Sequence, residues 1–182
     1  MKKYLLTLGL VAVTATPAFA EGVYIFGDLG QSKIEVDYAD RSETNTSYSF
    51  GLGYALNKTF ALELGYRDLG DIKLYRDEYG TGVADGSAIQ LSLLAKYPVN
   101  DKVNVFGRLG FAGVTFDSHY KYFSNNFSED YSHSDEQNKS LVGVGAEYIL
   151  NEHLSLRAEY NHYGKYDQLE TSTLSVGAVY SF

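Results

Sequence analysis

The chain has 182 residues, of which 15 are basic and 23 acidic, and it contains 17 tyrosines but neither cysteine nor tryptophan. Such an acidic chain is a poor match for a nucleic-acid backbone, and it cannot use the disulfides on which many small exported domains depend. Its length is sufficient for one domain.

The first predicted element is a secretory signal peptide over residues 1–20. Lys2 and Lys3 form a cationic start, residues 4–15 form an apolar run, and residues 18–20 read Ala-Phe-Ala, a small-x-small cleavage pattern. The run is too short for a spanning helix, and no apolar stretch of 18 residues follows it. We therefore expect export and cleavage, which leave residues 21–182 as a single domain.

The rest of the chain alternates apolar and polar residues with a period of two, which is typical of strands that have one apolar face. In residues 60–67 (Phe-Ala-Leu-Glu-Leu-Gly-Tyr-Arg) the even positions are apolar and the odd positions are small or charged. Eight segments of roughly ten residues show this pattern, as the strands of a transmembrane barrel do. In chain order, the alternating positions that identify these segments lie within residues 23–29, 50–54, 60–67, 89–96, 103–109, 142–148, 154–160 and 174–182.

Short and long connections alternate between these segments. Three short ones place an Asn at a fixed offset after an aromatic residue: 54–58 (Tyr-Ala-Leu-Asn-Lys), 97–101 (Tyr-Pro-Val-Asn-Asp) and 148–152 (Tyr-Ile-Leu-Asn-Glu). The four long, polar ones are predicted as loops over 34–47, 70–86, 115–139 and 163–172. All short connections then lie at one end of the molecule and all long ones at the other. This arrangement predicts an all-β, eight-stranded, antiparallel up-and-down transmembrane β-barrel. A soluble lipocalin-like barrel is the alternative.

The face of each strand opposite the apolar one carries balanced charges. An eight-stranded barrel is just wide enough for side chains to fill its interior, so we expect these groups to pair across the lumen. An unpaired buried charge would cost on the order of several kcal/mol. A balanced set of acids and bases avoids this cost. The predicted lumen groups are Asp28, Glu63, Glu147 and Glu159 as acids and Arg67, Lys96, Arg108 and Arg157 as bases.

Much of the chain after the predicted signal peptide, most clearly Val99 to Phe182, resembles the transmembrane domain of the OmpA family of outer-membrane proteins, with OmpX and the opacity proteins as smaller relatives. The resemblance rests on Tyr97-Pro98-Val99 and on the segments 105–110 (Val-Phe-Gly-Arg-Leu-Gly), 145–148 (Gly-Ala-Glu-Tyr), 156–160 (Leu-Arg-Ala-Glu-Tyr) and 174–182 (Leu-Ser-Val-Gly-Ala-Val-Tyr-Ser-Phe). The last segment is also similar to the assembly signal that the barrel-insertion machinery reads. Its matching residues are Ser175, Gly177, Tyr180 and Phe182.

The resemblance implies a pair between Glu63 and Arg157 that gates a narrow ion pore, with Arg108, Glu147 and Glu159 at matching positions. Two family lysines are replaced, because Asp28 stands at one position and Leu94 at the other, with Lys96 two residues along. Arg67 stands where the family has an acid. These departures make a static plug an equal alternative to a gate. The family's periplasmic domain is not expected here, since the chain ends with the eighth segment.

The predicted function is that of a monomeric outer-membrane protein with a structural, membrane-integrity role and at most a narrow gated pore. The alternative is an adhesin or serum-resistance protein that acts through its long loops, which hold most of the net negative charge and many aromatic residues. Expected partners are outer-membrane lipids and lipopolysaccharide, periplasmic chaperones, the insertion machinery, and host molecules or phage. No nucleic acid, cofactor or metal is expected.

An enzyme is not expected, although three residues near the chain end form a candidate catalytic set. His153, Ser155 and Glu159 could supply a base, a nucleophile and a carboxylate, since residues two apart on a strand share a face. His119 and His133 are candidate metal ligands, but they lack a regular ligand spacing.

Overall fold

A computed structural model describes residues 22–36, 41–77, 80–124, 127–166 and 169–182, so the predicted signal peptide lies outside the described residues. Eight strands make up almost all of this part of the chain. They are β1 (Val23–Val36), β2 (Arg41–Ala55), β3 (Phe60–Asp77), β4 (Gly80–Pro98), β5 (Val103–Ser124), β6 (Phe127–Ile149), β7 (Leu154–Tyr166) and β8 (Leu169–Ser181).

The eight strands form a closed barrel in which each pairs antiparallel with its neighbours in the chain. The barrel is closed by antiparallel pairing of β1 with β8, in which Ile25 lies opposite Tyr180 and Leu29 lies opposite Val176. The predicted fold is thereby confirmed, and the chain ends in a paired strand with no open edge. Within the described ranges there is no helix of the length and apolarity needed to cross a membrane.

The two-residue period sorts the side chains between the outside and the lumen. Outward positions are apolar and exposed, with Leu29 at 66% and Phe111 at 74% of full exposure, whereas the inward Glu63 is 1% exposed. Successive side chains of a strand point to opposite faces, so the alternation read from the sequence becomes an apolar exterior and a polar lumen. A lipid environment stabilises this arrangement, because in water the continuous apolar belt would be exposed to solvent, which is unfavourable.

Each short turn is held by its Asn. The Oδ1 atom of Asn100 accepts hydrogen bonds from the backbone N–H groups of Lys102 and Val103, both at 2.9 Å. Asn57 and Asn151 repeat this contact with the N–H groups two and three residues further along. The repeated Asn therefore has a structural cause, since one carboxamide oxygen satisfies two turn donors. We call this end of the barrel the turn end.

The prediction of four long loops is wrong. Strands run through most of 34–47, 70–86, 115–139 and 163–172, and at the opposite, hairpin end only residues 37–40, 78–79, 125–126 and 167–168 lie outside the described strands. The strands are 13 to 23 residues long, so the expectation of about ten was too short. Beyond the membrane both faces of a strand meet water, and the apolar alternation that identifies a strand disappears.

Two apolar clusters fill the lumen near its ends. The lower cluster, near the turn end, consists of Tyr24, Ala61, Leu94, Phe106 and Val179, with Phe26 packed against it. The upper cluster, toward the hairpin end, consists of Leu69, Ala88, Ala112, Val114, Leu141 and Tyr163, with Phe116 packed against it. Glu63, Arg108 and Glu159 lie between the two clusters, whereas Lys96 lies nearer the turn end than Leu94 on the same strand.

Candidate functional site

The charged residues of the lumen form an ion-pair layer. Glu63 on β3 is its centre: its Oε2 lies 2.6 Å from Nη2 of Arg108 on β5, and its Oε1 lies 2.8 Å from Nη2 of Arg157 on β7. The Tyr24 hydroxyl also donates to Oε1 at 2.8 Å. Three donors from three other strands thus converge on one buried carboxylate.

Arg157 joins the central pair to the turn end of the layer. Its Nε and Nη2 atoms donate to Oε1 of Glu147 at 3.0 and 2.7 Å, in addition to the contact with Glu63. Lys96 approaches the same Glu147 carboxylate, with Nζ 3.0 Å from Oε2. Arg157 therefore bridges two carboxylates, and charge-assisted contacts of this kind are shorter and stronger than neutral hydrogen bonds.

The remaining charges pair on the hairpin side of the layer. Nε of Arg108 lies 2.5 Å from Oε1 of Glu159, and Nη2 of Arg67 lies 3.0 Å from Oδ2 of Asp28. Ser49 also donates its hydroxyl to that Asp28 oxygen. The structure thus places all eight of the predicted lumen residues inside the barrel and brings each one into an ion pair.

Two phenyl rings hold the Arg157 guanidinium in place. Its Cζ lies 5.4 Å from the ring centre of Phe26 and 5.2 Å from that of Phe106, within the range of a cation–π contact. Inward-facing glycines provide the space for these rings, since a Cβ on Gly51 or Gly145 would collide with Phe26 or Phe106. The layer is therefore fixed by packing as well as by charge.

Sequence reasoning missed several lumen residues. Lys139 falls in the predicted loop 115–139, but it lies in β6 and is 2% exposed. Its ammonium nitrogen lies 6.0 Å from the centre of the Phe116 ring. Tyr163 was assigned to a loop, but it is fully buried and its hydroxyl accepts from Nε2 of Gln90 at 2.5 Å. Parity on the strand gives the signal for Tyr163, because it lies two and four residues from the inward Asn161 and Glu159.

The C-terminal residues form a second cluster, on the outside of the turn end. The rings of Tyr180 and Phe182 meet edge to face at 5.3 Å, and the His153 ring stacks on Tyr180 at 5.9 Å. The Ser181 N–H donates to the His153 carbonyl at 2.7 Å, and the Phe182 N–H donates to the Val23 carbonyl at 3.3 Å. The end of β8 is therefore tied to both of its neighbours.

The candidate catalytic set is not assembled. Nδ1 of His153 lies 2.9 Å from the Ser181 carbonyl oxygen, while Glu159 is engaged by Arg108 inside the lumen. In the ranges that the structure covers, no group of three His, Cys, Asp or Glu side chains is arranged to hold a metal ion. The side chains of the candidate metal ligands His119 and His133 lie outside the described part of the structure.

Comparison with known proteins identifies the family to which this barrel belongs. The profile of the outer membrane protein beta-barrel domain family matches residues 4–182. The chain belongs to this family. It is 31% identical to outer membrane protein P5 of Haemophilus influenzae, over 82% of the chain and 44% of P5. It is 28% identical to outer membrane protein A of Serratia marcescens, over 72% of the chain and 38% of that protein.

Solved structures agree with the fold. The Yersinia pestis attachment invasion locus protein Ail, crystallised with a heparin analogue, matches with a TM-score of 0.64 at 17% identity, over 88% of this chain and 99% of Ail. The N-terminal barrel domain of Pseudomonas aeruginosa OprF matches with a TM-score of 0.58 at 14% identity, over 88% and 98%. At these identities the likeness concerns the fold alone.

These findings confirm the OmpA-like resemblance and the outer-membrane location. The chain spans less than half the length of the curated relatives it matches. As a member of this barrel family it has an outward apolar belt against lipid, and the family arrangement puts short turns on the periplasmic side and the opposite end outside the cell.

Proposed function

We propose that this barrel has a structural role in the outer membrane and that its lumen is closed, with at most a narrow ion leak. The observation that carries the proposal is the order of layers in the lumen. The lower cluster lies at the level of Lys96, Glu147 and Arg157, the pairs of Glu63, Arg108 and Glu159 follow, and the upper cluster lies beyond them toward the hairpin end. A solute would have to pass two apolar constrictions and a set of paired charges.

Closure is stabilised by the way the layer is connected. Glu63 and Arg157 are less than 10% exposed and each contacts more than one partner, so a rotamer change of either side chain breaks several charge-assisted contacts in a buried site. A gate that works by exchange of partners would need an alternative partner for each group that moves. Arg157 already contacts both Glu63 and Glu147, which favours a static plug.

Planar-bilayer conductance tests closure. The unaltered barrel should show no sustained openings, whereas Glu63→Ala should open, because it leaves Arg108 and Arg157 facing each other. Glu152→Ala is the matched control, since Glu152 is an exposed acid in a turn. Frequent openings of the unaltered protein would contradict closure. If the Glu63→Ala variant also showed no openings, the apolar clusters alone would be sufficient to close the lumen.

A second function, binding through the hairpin end, is favoured by a sheet that continues past the barrel rim. In the described part of the chain, pairing of β2 with β3 ends at Tyr48–Asp68 and pairing of β6 with β7 ends at Leu141–Tyr163. Pairing within β3, β4, β5 and β6 continues to Asp77–Gly80, Gly80–Tyr122 and Ser124–Phe127. We call this four-stranded extension the projecting sheet.

The composition of the projecting sheet limits the kind of partner. Residues 71–85 and 117–136 contain nine acidic and three basic residues. Ail was crystallised with a sulfated sugar, but a polyanion would be repelled by this surface. A basic protein surface, or lipopolysaccharide bridged by divalent cations, fits this charge better. The same segments are rich in tyrosine and phenylalanine, and aromatic residues are frequent in protein-binding surfaces.

One trimmed variant separates the two functions. Asp71, Asp85, Asp117 and Ser134 are successive cross-strand partners, so both hairpins can be cut at one level and reclosed with Asn-Gly turns in place of residues 72–84 and 118–133. A structural role predicts that the trimmed barrel restores detergent resistance to a deletion strain as well as the full chain does. A binding role predicts normal resistance but lost adhesion to host cells.

Assembly partners follow from the C-terminal cluster. We infer that the residues that resemble the assembly signal are Ser175, Gly177, Tyr180 and Phe182, and that the insertion machinery and periplasmic chaperones act on them. In support, Tyr180 and Phe182 face outward at 43% and 53% exposure, where a partner could contact them before the barrel closes.

A further inference from the structure

The three short turns share a second pattern besides their Asn. In each turn, three polar residues stand between two apolar ones: 57–59 between Leu56 and Phe60, 100–102 between Val99 and Val103, and 151–153 between Leu150 and Leu154. The backbone N–H of the first apolar residue donates to the carbonyl oxygen of the second, at 2.9, 2.8 and 2.9 Å in chain order. Each turn is therefore closed by an apolar pair and ends in three polar residues, which we call its polar tip.

Closure of the barrel adds a fourth pair of the same kind. The backbone N–H of Phe182 donates to the carbonyl oxygen of Val23 at 3.3 Å, where β8 meets β1. The four pairs thus occur at the junctions of β2 with β3, β4 with β5, β6 with β7 and β8 with β1, which are spaced around the whole barrel. We call the eight residues of these pairs the turn collar.

The turn collar continues the outward face of the strands. Leu56 and Val99 follow the outward Tyr54 and Tyr97 by two residues, and residues two apart on a strand point the same way. Leu150 stands in the same relation to the outward tyrosine of β6, and all three aliphatic residues are about half exposed. The apolar belt of the barrel therefore extends past its tyrosines to the polar tips.

The height of the belt shows that the turn collar belongs to it. At a strand tilt of about 40°, β6 rises roughly 20 Å along the barrel axis from Val142 to Leu150, and β4 rises roughly 25 Å from Ile89 to Val99. The apolar band of an outer-membrane barrel is about 25 Å tall. A belt that ended at the tyrosines would be about 5 Å shorter on each of these strands. The collar residues are thus needed to match the apolar thickness of the membrane.

We propose that the turn collar is inserted among the acyl chains of the periplasmic phospholipid leaflet and that it sets the depth of the barrel in the membrane. A ring of apolar residues around the whole circumference fits a lipid leaflet, which surrounds a barrel on all sides, better than a protein, which would contact one sector. All nine residues of the polar tips are exposed, so the tips lie at the level of the headgroups. This goes beyond the structural role, because a closed lumen neither requires nor excludes a collar in lipid.

Tryptophan fluorescence tests the insertion. The chain contains no tryptophan, so Val99→Trp and Asp101→Trp each carry a single one, in the collar and in the polar tip of the same turn. Each folded variant is reconstituted in phospholipid vesicles whose acyl chains carry bromine either near the headgroup or near the bilayer centre. Quenching by bromine then reports the depth of the indole.

We expect Val99→Trp to emit at shorter wavelength than Asp101→Trp and to lose most of its emission to the shallow bromines, because interfacial apolar groups lie about 5–10 Å into the boundary between headgroups and acyl chains. Asp101→Trp should lose little emission to either lipid. Unquenched emission of Val99→Trp at the wavelength of a hydrated indole would overturn the proposal. That result is the one expected if a periplasmic protein covered the collar, since the vesicles contain none. Heat-modifiable migration on unboiled gels verifies that each variant is folded.

A reporter deeper in the belt tests whether the collar sets the depth. Tyr97→Trp supplies the reporter, and Leu56→Asn together with Leu150→Asn makes two other turns of the collar polar. The turn end should then move toward water, so that quenching of the reporter shifts from the deep to the shallow bromines. Lys58→Asn with Glu152→Asn is the matched control, because it changes only the polar tips and should leave the reporter in place. A reporter that keeps its depth in the collar variant would overturn the depth-setting role.

A measurement on the unchanged protein covers the case in which a variant does not fold. Magnetisation transfer from lipid acyl chains, recorded by NMR in phospholipid nanodiscs, should reach the methyl groups of Leu56, Val99 and Leu150. It should not reach the methyl group of Thr59, which lies in the polar tip of the first turn. Absence of transfer to the three collar residues would contradict insertion and would leave the structural role unaffected.

Discussion

Glu63 and Arg157 lie 94 residues apart in the chain, yet Nη2 of Arg157 donates to Oε1 of Glu63 at 2.8 Å in the middle of the lumen. This contact joins β3 to β7 across the barrel, and neither strand is hydrogen-bonded to the other. A pair of this kind can form only after the barrel has closed. Loss of this pair should therefore lower the stability of the folded barrel.

Glu63→Gln tests how much the charge of this carboxylate stabilises the barrel. The variant keeps the shape of the side chain but leaves Arg108 and Arg157 with less compensation, and removal of one partner from a buried pair costs about 3–5 kcal/mol. Urea unfolding from lipid vesicles, followed by circular dichroism, measures the loss. Glu152→Gln, in an exposed turn, should change the free energy of unfolding by less than about 0.5 kcal/mol. A similar small change for Glu63→Gln would mean that the layer adds no net stability.

Asn100→Ala tests the repeated turn. It removes the acceptor of two backbone N–H groups, and at about 0.5–1.5 kcal/mol for each hydrogen bond the expected loss is about 1–3 kcal/mol. Asn100→Asp keeps an acceptor oxygen at the same place and should lose much less, which the same urea titration would detect. If both variants lost equally, the repeated Asn would be required for a reason other than this oxygen.

The part of the fold that lies in lipid was predictable because lipid imposes one apolar face on every strand. Leu62 and Glu63, for example, are neighbours with opposite environments, and their residue types show it. Beyond the membrane both faces of a strand meet water, so their residue types need not differ. For this reason the sequence predicts a loop over residues 115–139, although β5 and β6 run through them. Pairing between two solvated strands has no counterpart in the hydropathy pattern.

The candidate site was predictable in its charges but not in its apolar parts. Lumen acids and bases stand out on a strand, whereas Phe106 and Leu94 look like lipid-facing residues until their parity is compared with that of Arg108 and Lys96. Which groups pair depends on the stagger of the strands around the barrel. That stagger places Glu63 near Arg157, and it cannot be obtained from residue spacing.

Phe182→Ala tests whether the C-terminal aromatic residue acts in assembly. The edge-to-face pair with Tyr180 should contribute about 0.5–1.5 kcal/mol to stability, so refolding in vitro should be only slightly weakened. In cells, recognition by the insertion machinery predicts a much larger loss, measured as folded, heat-modifiable protein in outer-membrane fractions. Phe50→Ala is the control, since Phe50 is also lipid-facing and packs on Tyr66 at 5.5 Å. Equal losses for the two variants in cells would contradict a signal at Phe182.

Gly145→Ala tests whether lumen packing holds Arg157. A Cβ at Gly145 would lie 2.6 Å from the Ala158 carbonyl oxygen and would collide with the ring of Phe106, one of the two rings on the Arg157 guanidinium. Such overpacking typically costs about 1–3 kcal/mol, and the displaced ring should also raise the frequency of openings in planar bilayers.

Gly107→Ala provides the comparison, because nothing lies within 4 Å of its added Cβ on the lipid-facing side. It should be neutral or stabilise the barrel by up to about 1 kcal/mol, since alanine restricts the unfolded chain more than glycine does. If Gly145→Ala also left the urea midpoint and the conductance unchanged, Phe106 would have room to move. The guanidinium would then be positioned by its carboxylate partners alone.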